Sequence, residues 1–412
     1  MDIWLINHYA VPPKYYPLAR QTYFARYLMA MGHTVTIFAA STVHNSDKNL
    51  ITDGSPWREE TVDGVHYVYI KCLGYQGNGL KRAYNVCEFA WKLPGVCKKF
   101  PRPDAIVATS MPPTSCAVGI HLARKYGCRG IAEIADLWPE SLVAIGMAGP
   151  YNPVILALRW LEKWIYKKAD AVVFTMEGAY DYVKEQEWEK DVPRSKVFYV
   201  NNGVDIKQFD SDREHFHLDD PDLEDPGTFK LIYTGSIRKA NGVSQLLACA
   251  ELLQDYPQIR FLIYGAGDDL EALEAARGEK GLNNLCFKGR VDKRNIPYIL
   301  SKSNVNLVNY DPKAAEIYRF GNSQNKFFEY LASGKPMLAN VKMAYNPASR
   351  THCCFYAASS SAEDYAKAVL ELYRLPREKY EAVCRAARET AEEYDFKKLT
   401  RKLLNVIEGI RK

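Results

Sequence analysis

The sequence has no C-x-x-C pair and no cysteine at zinc-finger spacing from a histidine pair. It has no run of the roughly 18 apolar residues that a membrane span needs. It also lacks a G-x-G-x-x-G loop, a low-complexity tract and a large excess of one charge. Each absence excludes a class. Ten scattered cysteines, with Cys353 and Cys354 adjacent and badly placed to bridge each other, read as reduced thiols of a cytosolic protein. A net charge of +5, from 54 basic and 49 acidic residues, gives no pointer to nucleic acid. The first residues, MDIWLINHYAVPP, carry neither a basic leader nor a long apolar stretch and read as a first β-strand. The expectation is a soluble or peripheral protein of the cytoplasm.

What is present is the grammar of an α/β protein. A chain of 412 residues, 47% hydrophobic, predicts two globular domains of about 150–200 residues each. Short apolar runs alternate with stretches of helical period. In the first half the predicted strands are Ile3–Asn7, Thr34–Ala39, Val65–Ile70, Ala105–Ala108, Gly130–Ile134, Ala171–Thr175 and Val197–Val200. In the second they are Phe229–Thr234, Phe261–Tyr264, Leu285–Phe287, Val305–Asn309, Met337–Ala339 and Phe355–Ala357. Strands alternating with helices predict doubly wound, Rossmann-like parallel sheets. The acidic, Pro-containing stretch 210–227 reads as a surface linker. The domains are therefore expected at 1–205 and 206–395, facing a central cleft. In such sheets ligands bind beyond the carboxyl ends of the strands.

The strand-end loops carry the chemistry. After Phe229–Thr234 comes Gly235-Ser236-Ile237-Arg238-Lys239-Ala240-Asn241-Gly242. It is either a tight turn with two solvated cations or a phosphate site at a helix start, and the flanking glycines favour phosphate. Gly265-Ala266-Gly267 lacks the third glycine of a dinucleotide fingerprint, and the first strand is followed by His8-Tyr9-Ala10-Val11-Pro12-Pro13, without glycine. A nicotinamide dehydrogenase is disfavoured. Phe287-Lys288-Gly289-Arg290-Val291, taken alone, is a strand-to-helix turn. Gly321–Pro336 is the richest segment. There Lys326 and Glu329 share a helical face, as an ion pair or as a phosphate-binding cation with a ribose-binding carboxylate. Asp136 and Glu140 in Ala135-Asp136-Leu137-Trp138-Pro139-Glu140-Ser141 position hydroxyls or act as a base, unless they merely cap a helix beside a buried Trp.

Two stretches are basic and amphipathic. In 154–168, Arg159, Lys163 and Lys167 share a face flanked by Trp160 and Trp164. In 80–100, Lys81, Arg82, Lys92, Lys98 and Lys99 mix with Phe89, Trp91 and Leu93. They fit either an anionic membrane surface or core-packed helices with a solvated basic face.

Together these segments resemble the GT-B glycosyltransferases classed as family 4, and within them the bacterial O-antigen and capsule transferases of N-acetylamino sugars. The resemblance is carried, in order, by Asn7-His8-Tyr9, Arg20, Gly32-His33-Thr34-Val35-Thr36, Asp63-Gly64-Val65, Gly77-Asn78-Gly79 with Arg82, Asp136–Ser141, Asn202-Gly203-Val204-Asp205, Tyr233-Thr234-Gly235-Ser236 and Lys326–Pro336. It implies retaining transfer from a UDP-sugar, with no metal and no other cofactor. The acceptor would be a saccharide, free or polyprenyl-diphosphate-linked, in surface polysaccharide assembly. Peripheral contact at the inner face of the plasma membrane, through 154–168 and 80–100, would accompany it. Lys326 would contact the diphosphate, Glu329 the ribose, and Gly289-Arg290-Val291 the base. Gly235, Ser236, Arg238, Lys239, Gly267 and Asn325 would complete the donor site. Asp136 would act beside the reacting carbon, His8, Arg20 and Asn78 would meet the acceptor, and a C-terminal helix at about 396–412 would pack back on the first domain.

Three departures from the family pattern stand out. Its phosphate-loop Arg and Lys are here Ser236 and Asn241. The first Glu of its E-x7-E is here Gly321, with Glu316 out of register. Its Gly-rich first loop is here Lys14-Tyr15-Tyr16-Pro17. Two other readings stay open beside the transferase: a GT-B nucleotide-sugar 2-epimerase, and a non-catalytic nucleotide-sugar-binding scaffold.

Overall fold

The first eight strands pair into one sheet: β1 (Asp2–Ile6), β2 (Thr34–Ala40), β3 (Trp57–Val62), β4 (Val65–Ile70), β5 (Ala105–Ser110), β6 (Arg129–Ile134), β7 (Ala171–Phe174) and β8 (Val197–Tyr199). A computed structural model describes residues 1–411 except 17–19, 45, 78, 145 and 313–317. The strand order is β3-β4-β2-β1-β5-β6-β7-β8. Every neighbouring pair is parallel except β3 with β4. The chain winds outward from β1, then returns to β5 on its other side, which makes β1/β5 the switch point of a doubly wound sheet. The interior strands are near-continuous apolar runs because helices cover both faces. β3 (WREETV) is missing from the sequence-based strands. It is polar and mostly exposed at the sheet edge, so no apolar run marks it.

Six further strands form a second, wholly parallel sheet: β9 (Phe229–Thr234), β10 (Ile259–Tyr264), β11 (Leu285–Gly289), β12 (Val305–Val308), β13 (Met337–Ala339) and β14 (Cys354–Tyr356). Their order is β11-β10-β9-β12-β13-β14.

The chain separates into two units, Met1–Asn201 with Phe396–Lys412, and Asn202–Asp395. The last helix, Phe396–Gly409, belongs to the first unit because it buries one face. Phe396, Leu399, Leu403, Leu404 and Ile407 recur at helical spacing. Phe396 stacks on Tyr23 at 4.7 Å and meets Phe24 edge-on at 5.7 Å. Truncating such a buried ring costs about 3–5 kcal/mol.

The acidic stretch 210–227 is not a bare linker. It contains the end of the helix Ile206–His215 and the turn Pro221–Glu224, and Phe209 and Leu223 enter the core of the second unit. Asp220 caps that turn and accepts hydrogen bonds from Tyr264 (2.7 Å) and Lys288 (2.7 Å). The acidity serves local hydrogen bonding there, which composition alone does not reveal. No helix among the described residues is long and apolar enough to cross a membrane.

Candidate active site

In the second unit the loops after four adjacent strands, β11, β10, β9 and β12, are laced by backbone hydrogen bonds. Gly265 N donates to Gly289 O (2.8 Å), Gly235 N to Tyr264 O (3.0 Å), Ile237 N to Ala266 O (2.9 Å) and Asp311 N to Ala240 O (3.0 Å). Glycine is required at the crossing points. A Cβ on Gly265 would lie 1.8 Å from Gly235 O, and one on Gly267 would lie 2.1 Å from Ile237 O. The spacing that reads as a degenerate dinucleotide fingerprint therefore has another cause, the close approach of two loop backbones.

Lys326 lies against this lacework. The helix Asn325–Ala332 buries Phe327, Phe328, Tyr330 and Leu331, and its Tyr330 hydroxyl accepts from Thr234 N (2.8 Å) at the end of β9. That anchor brings Lys326, one turn earlier, over the Tyr233 ring (4.6 Å) and towards the Tyr310 ring (5.6 Å). Its Nζ lies 3.4 Å from the Tyr233 hydroxyl, and its Cδ is 3.7 Å from where a Gly235 Cβ would stand. Among the described residues it makes no ion pair. Desolvation lowers its pKa to about 7. A desolvated ammonium beside a glycine loop, balanced by no carboxylate among the described residues, suits an anion.

The other residues expected at the donor site lie on neighbouring loops of the same unit. Ser236, Arg238 and Lys239 are exposed on the β9 loop. Arg238 makes one long contact, 3.7 Å, with the exposed Asp268, and Lys239 makes no ion pair among the described residues. The two positions where the family carries Arg and Lys bind each other here, since Asn241 Nδ2 donates to Ser236 O (2.9 Å) and Oγ (2.8 Å). Those hydrogen bonds close the loop on itself without a cation at either position.

Glu329 does not pair with Lys326. Its partner is Lys293, which follows the loop after β11. Val291 of that loop packs on the core, and Arg290 is exposed. Asn325 begins the Lys326 helix and is half-buried. Tyr233, Tyr310, Asn241 and Lys293 are absent from the sequence-based site. A tyrosine two residues before the loop glycine was the available signal for Tyr233; Lys293 had none.

In the first unit Asp136 follows β6, is exposed, and makes no hydrogen bond or ion pair among the described residues. Partial withdrawal of water still raises its carboxyl pKa. Glu140 of the same loop is committed to Arg159 (2.8 Å). His8 and Arg20, expected at the acceptor, are both buried and engaged with protein groups. The His8 ring has no exposed surface. Asn85 uses its amide hydrogens on Leu73 O (2.6 Å) and Thr42 Oγ1 (3.3 Å), so its Oδ1 accepts from His8 Nε2–H (2.6 Å). Burial lowers the His8 pKa to about 3, and the ring stays neutral. Arg20 is buried on Glu133 (3.0 Å), Asn201 O (2.6 Å) and Val200 O (2.8 Å), where it ties the ends of β6 and β8 together. Asn78 and Glu316 lie outside the described residues.

The basic faces are also rearranged. Arg159 holds Glu140, and Lys163 and Lys167 both hold Asp191 (3.3 and 2.8 Å). The two helices Leu80–Cys97 and Pro153–Lys168 also expose large apolar side chains: Leu80 (90% exposed), Tyr84 and Trp91 (79%) on one, Val154, Leu156 and Trp160 (67%) on the other.

Comparison with known proteins agrees with this architecture. Residues 19–203 match the family described as Glycosyl transferase 4-like domain, and residues 228–374 match Glycosyl transferases group 1. The WcaI protein of Escherichia coli K12, named provisionally as a colanic acid biosynthesis glycosyl transferase, is 26% identical over 298 residues, 68% of this chain and 70% of that one. Sucrose-phosphate synthase from Thermosynechococcus elongatus superposes with a TM-score of 0.72 at 17% identity, covering 99% of this chain and 98% of its own. The E. coli trehalose-6-phosphate protein solved with UDP-2-fluoro glucose gives 0.72 at 12% identity, with all of both chains covered. Two family matches that together span most of the sequence, on two Rossmann-like sheets, make this chain a GT-B glycosyltransferase.

Proposed function

We propose that the chain is a retaining, metal-independent transferase that moves a sugar, of the N-acetylamino class, from a UDP-sugar to a saccharide or polyprenyl-diphosphate-linked acceptor in O-antigen or capsule assembly. The observation that carries the reading is Lys326, desolvated over Tyr233 beside Gly235 and in no ion pair among the described residues. Departure of a nucleoside diphosphate builds negative charge, and a preorganised cation with loop N–H groups stabilises it. Arg238 and Lys239 add positive charge on the same loop. Glu329 takes the ribose and Arg290–Val291 the base, as the family resemblance implies. Retention follows from attack on the face the diphosphate leaves, with a leaving phosphate oxygen taking the acceptor proton. Asp136 stands at the reacting carbon in this reading. The match to WcaI supports a role in polysaccharide assembly, and the UDP-2-fluoro glucose in the E. coli neighbour supports the uridine nucleotide.

The reading includes a cytoplasmic location at the inner face of the plasma membrane. Support comes from the apolar stripe Leu80, Tyr84, Cys87, Trp91, which recurs at helical spacing on an exposed face. Lys81, Lys98 and Lys99 stand beside it in no ion pair among the described residues.

A thermal-shift screen of UDP-, GDP- and ADP-sugars with and without Mg²⁺ tests base, sugar and metal together. Stabilisation by a UDP-sugar irrespective of Mg²⁺ is expected; stabilisation by GDP- or ADP-sugars alone rejects the uridine assignment. Product analysis then decides the chemistry. An inverted anomer rejects retention, and conversion of the donor without an acceptor identifies the 2-epimerase instead.

A further inference from the structure

We infer that Lys293 determines nucleotide specificity in the donor site by fixing the Glu329 carboxylate and gripping, together with it, the vicinal hydroxyls of a ribose. The inference rests on the donor reading given above and concerns a residue that neither the family pattern nor the sequence marks.

The local architecture aims Lys293 at Glu329. The loop after β11 is anchored at its start by Gly289 O, which accepts from Gly265 N (2.8 Å), and along its length by Val291, half-buried against the core. It ends in the short turn Lys293–Asn295, capped by Asp292, whose Oδ1 accepts from Arg294 N (2.9 Å). The Arg294 guanidinium then holds both Asp292 oxygens (3.1 and 3.0 Å). Asp292 and Arg294 are thus committed to each other. Lys288 is likewise committed to Asp220 and Asp222. Lys293 instead reaches across to Glu329 Oε1. Lys326, a turn before Glu329 on its own helix, is held over Tyr233 and does not compete.

The pair has unfilled capacity. A lysine ammonium carries three N–H donors and a carboxylate offers about four lone-pair sites. One contact, Lys293 Nζ to Glu329 Oε1, is made; Glu329 Oε2 accepts from no described residue. A vicinal diol is the matching ligand, because each hydroxyl donates through its hydrogen and accepts through its oxygen. A carboxylate alone reads only the hydrogens, whereas an ammonium at its side also reads an oxygen. The Glu329 side chain is only 16% exposed. A 2′-deoxynucleotide therefore leaves a charged, poorly hydrated group unmatched, and sites built to bond a hydroxyl reject analogues that lack it.

The test is calorimetric titration of UDP and 2′-deoxy-UDP into the full chain as wild type, Lys293→Met and Lys293→Arg. Wild type is expected to favour UDP. Lys293→Met is expected to weaken UDP about tenfold and 2′-deoxy-UDP hardly at all, so the preference narrows towards unity, and Lys293→Arg restores most of it. Melting temperatures should stay level, since half of the Lys293 side chain is exposed. Lys293→Gln serves where the Met variant is insoluble. A Lys293→Met protein that keeps the wild-type preference overturns the inference and leaves the donor reading intact. Folded wild-type protein that binds no UDP overturns the donor reading itself, and this inference with it.

Discussion

The Lys326 ammonium lies 4.6 Å from the centre of the Tyr233 ring, two residues before the glycine whose loop it touches. The ring gives partial compensation for a desolvated charge without neutralising it, as a carboxylate would. The positive charge therefore remains available to a ligand, and several consequences follow from that one placement.

Replacing Lys326 with Met removes the cation nearest the leaving diphosphate while keeping the apolar stem. Loss of one such stabiliser lowers kcat about 10²–10³-fold. Thermal stability should hold, because a half-buried, unpaired amine is exchanged for an apolar tip. Steady-state kinetics with a UDP-sugar and a melting curve check both halves; near-normal turnover removes Lys326 from the site.

Donor affinity should depend on pH through the same group. In the free protein the Lys326 pKa is lowered to about 7, and a bound diphosphate raises it. Below about pH 7 the amine is charged in both states and contributes no pH dependence. Above it, binding takes up a proton, and affinity falls about tenfold per pH unit until the bound-state pKa is passed. Titration of a UDP-sugar at pH 8 in two buffers of different ionisation enthalpy measures that proton. No uptake contradicts the assignment.

Gly265→Ala should disrupt the loop lacework, since the new Cβ would stand 1.8 Å from Gly235 O. A cost of about 1–3 kcal/mol lowers the melting temperature by several degrees and abolishes donor binding. Gly278→Ala is the control. It lies in the helix Leu270–Glu279 with no atom near its added Cβ, and alanine there stabilises by about 0.5–1 kcal/mol. Equal melting temperatures for the two variants would sink the close-approach argument.

The proposed membrane contact runs through exposed apolar side chains and not through the basic face of 154–168. Trp91→Glu should weaken co-sedimentation with anionic phospholipid vesicles at least about tenfold, given about 2 kcal/mol or more for one buried aromatic. Lys163→Gln with Lys167→Gln should change it little, because both amines already hold Asp191. The reverse ranking contradicts the surface assignment.

How much of this was legible in the sequence depended on what each residue does. The interior parallel strands announce themselves as short apolar runs, whereas β3 does not, because this edge strand is polar between Trp57 and Val62. Glycines at strand ends marked loops that the structure laces together, but why Gly265 and Gly267 must be glycine is a contact between segments about 30 residues apart, invisible to spacing. Lys326 and Glu329 are neighbours on one helix face, and helical periodicity alone could not show that the first turns to Tyr233 and the second to Lys293. His8 follows the first strand and Arg20 was marked by the family resemblance; their burial against Asn85 and Glu133 is a tertiary fact. In 154–168 the basic stripe was legible, and its pairing with Glu140 and Asp191, from outside the helix, was not.

The central claim is that an activated sugar's diphosphate is held at Lys326 and the Gly235 loop, and a crystal structure of the protein with a UDP-sugar tests it most directly. The account predicts phosphate oxygens within hydrogen-bonding distance of Lys326 Nζ and of the loop N–H groups at 235–239, with the ribose on Glu329. Nucleotide bound elsewhere, with Lys326 still over Tyr233 and touching no phosphate, would contradict it.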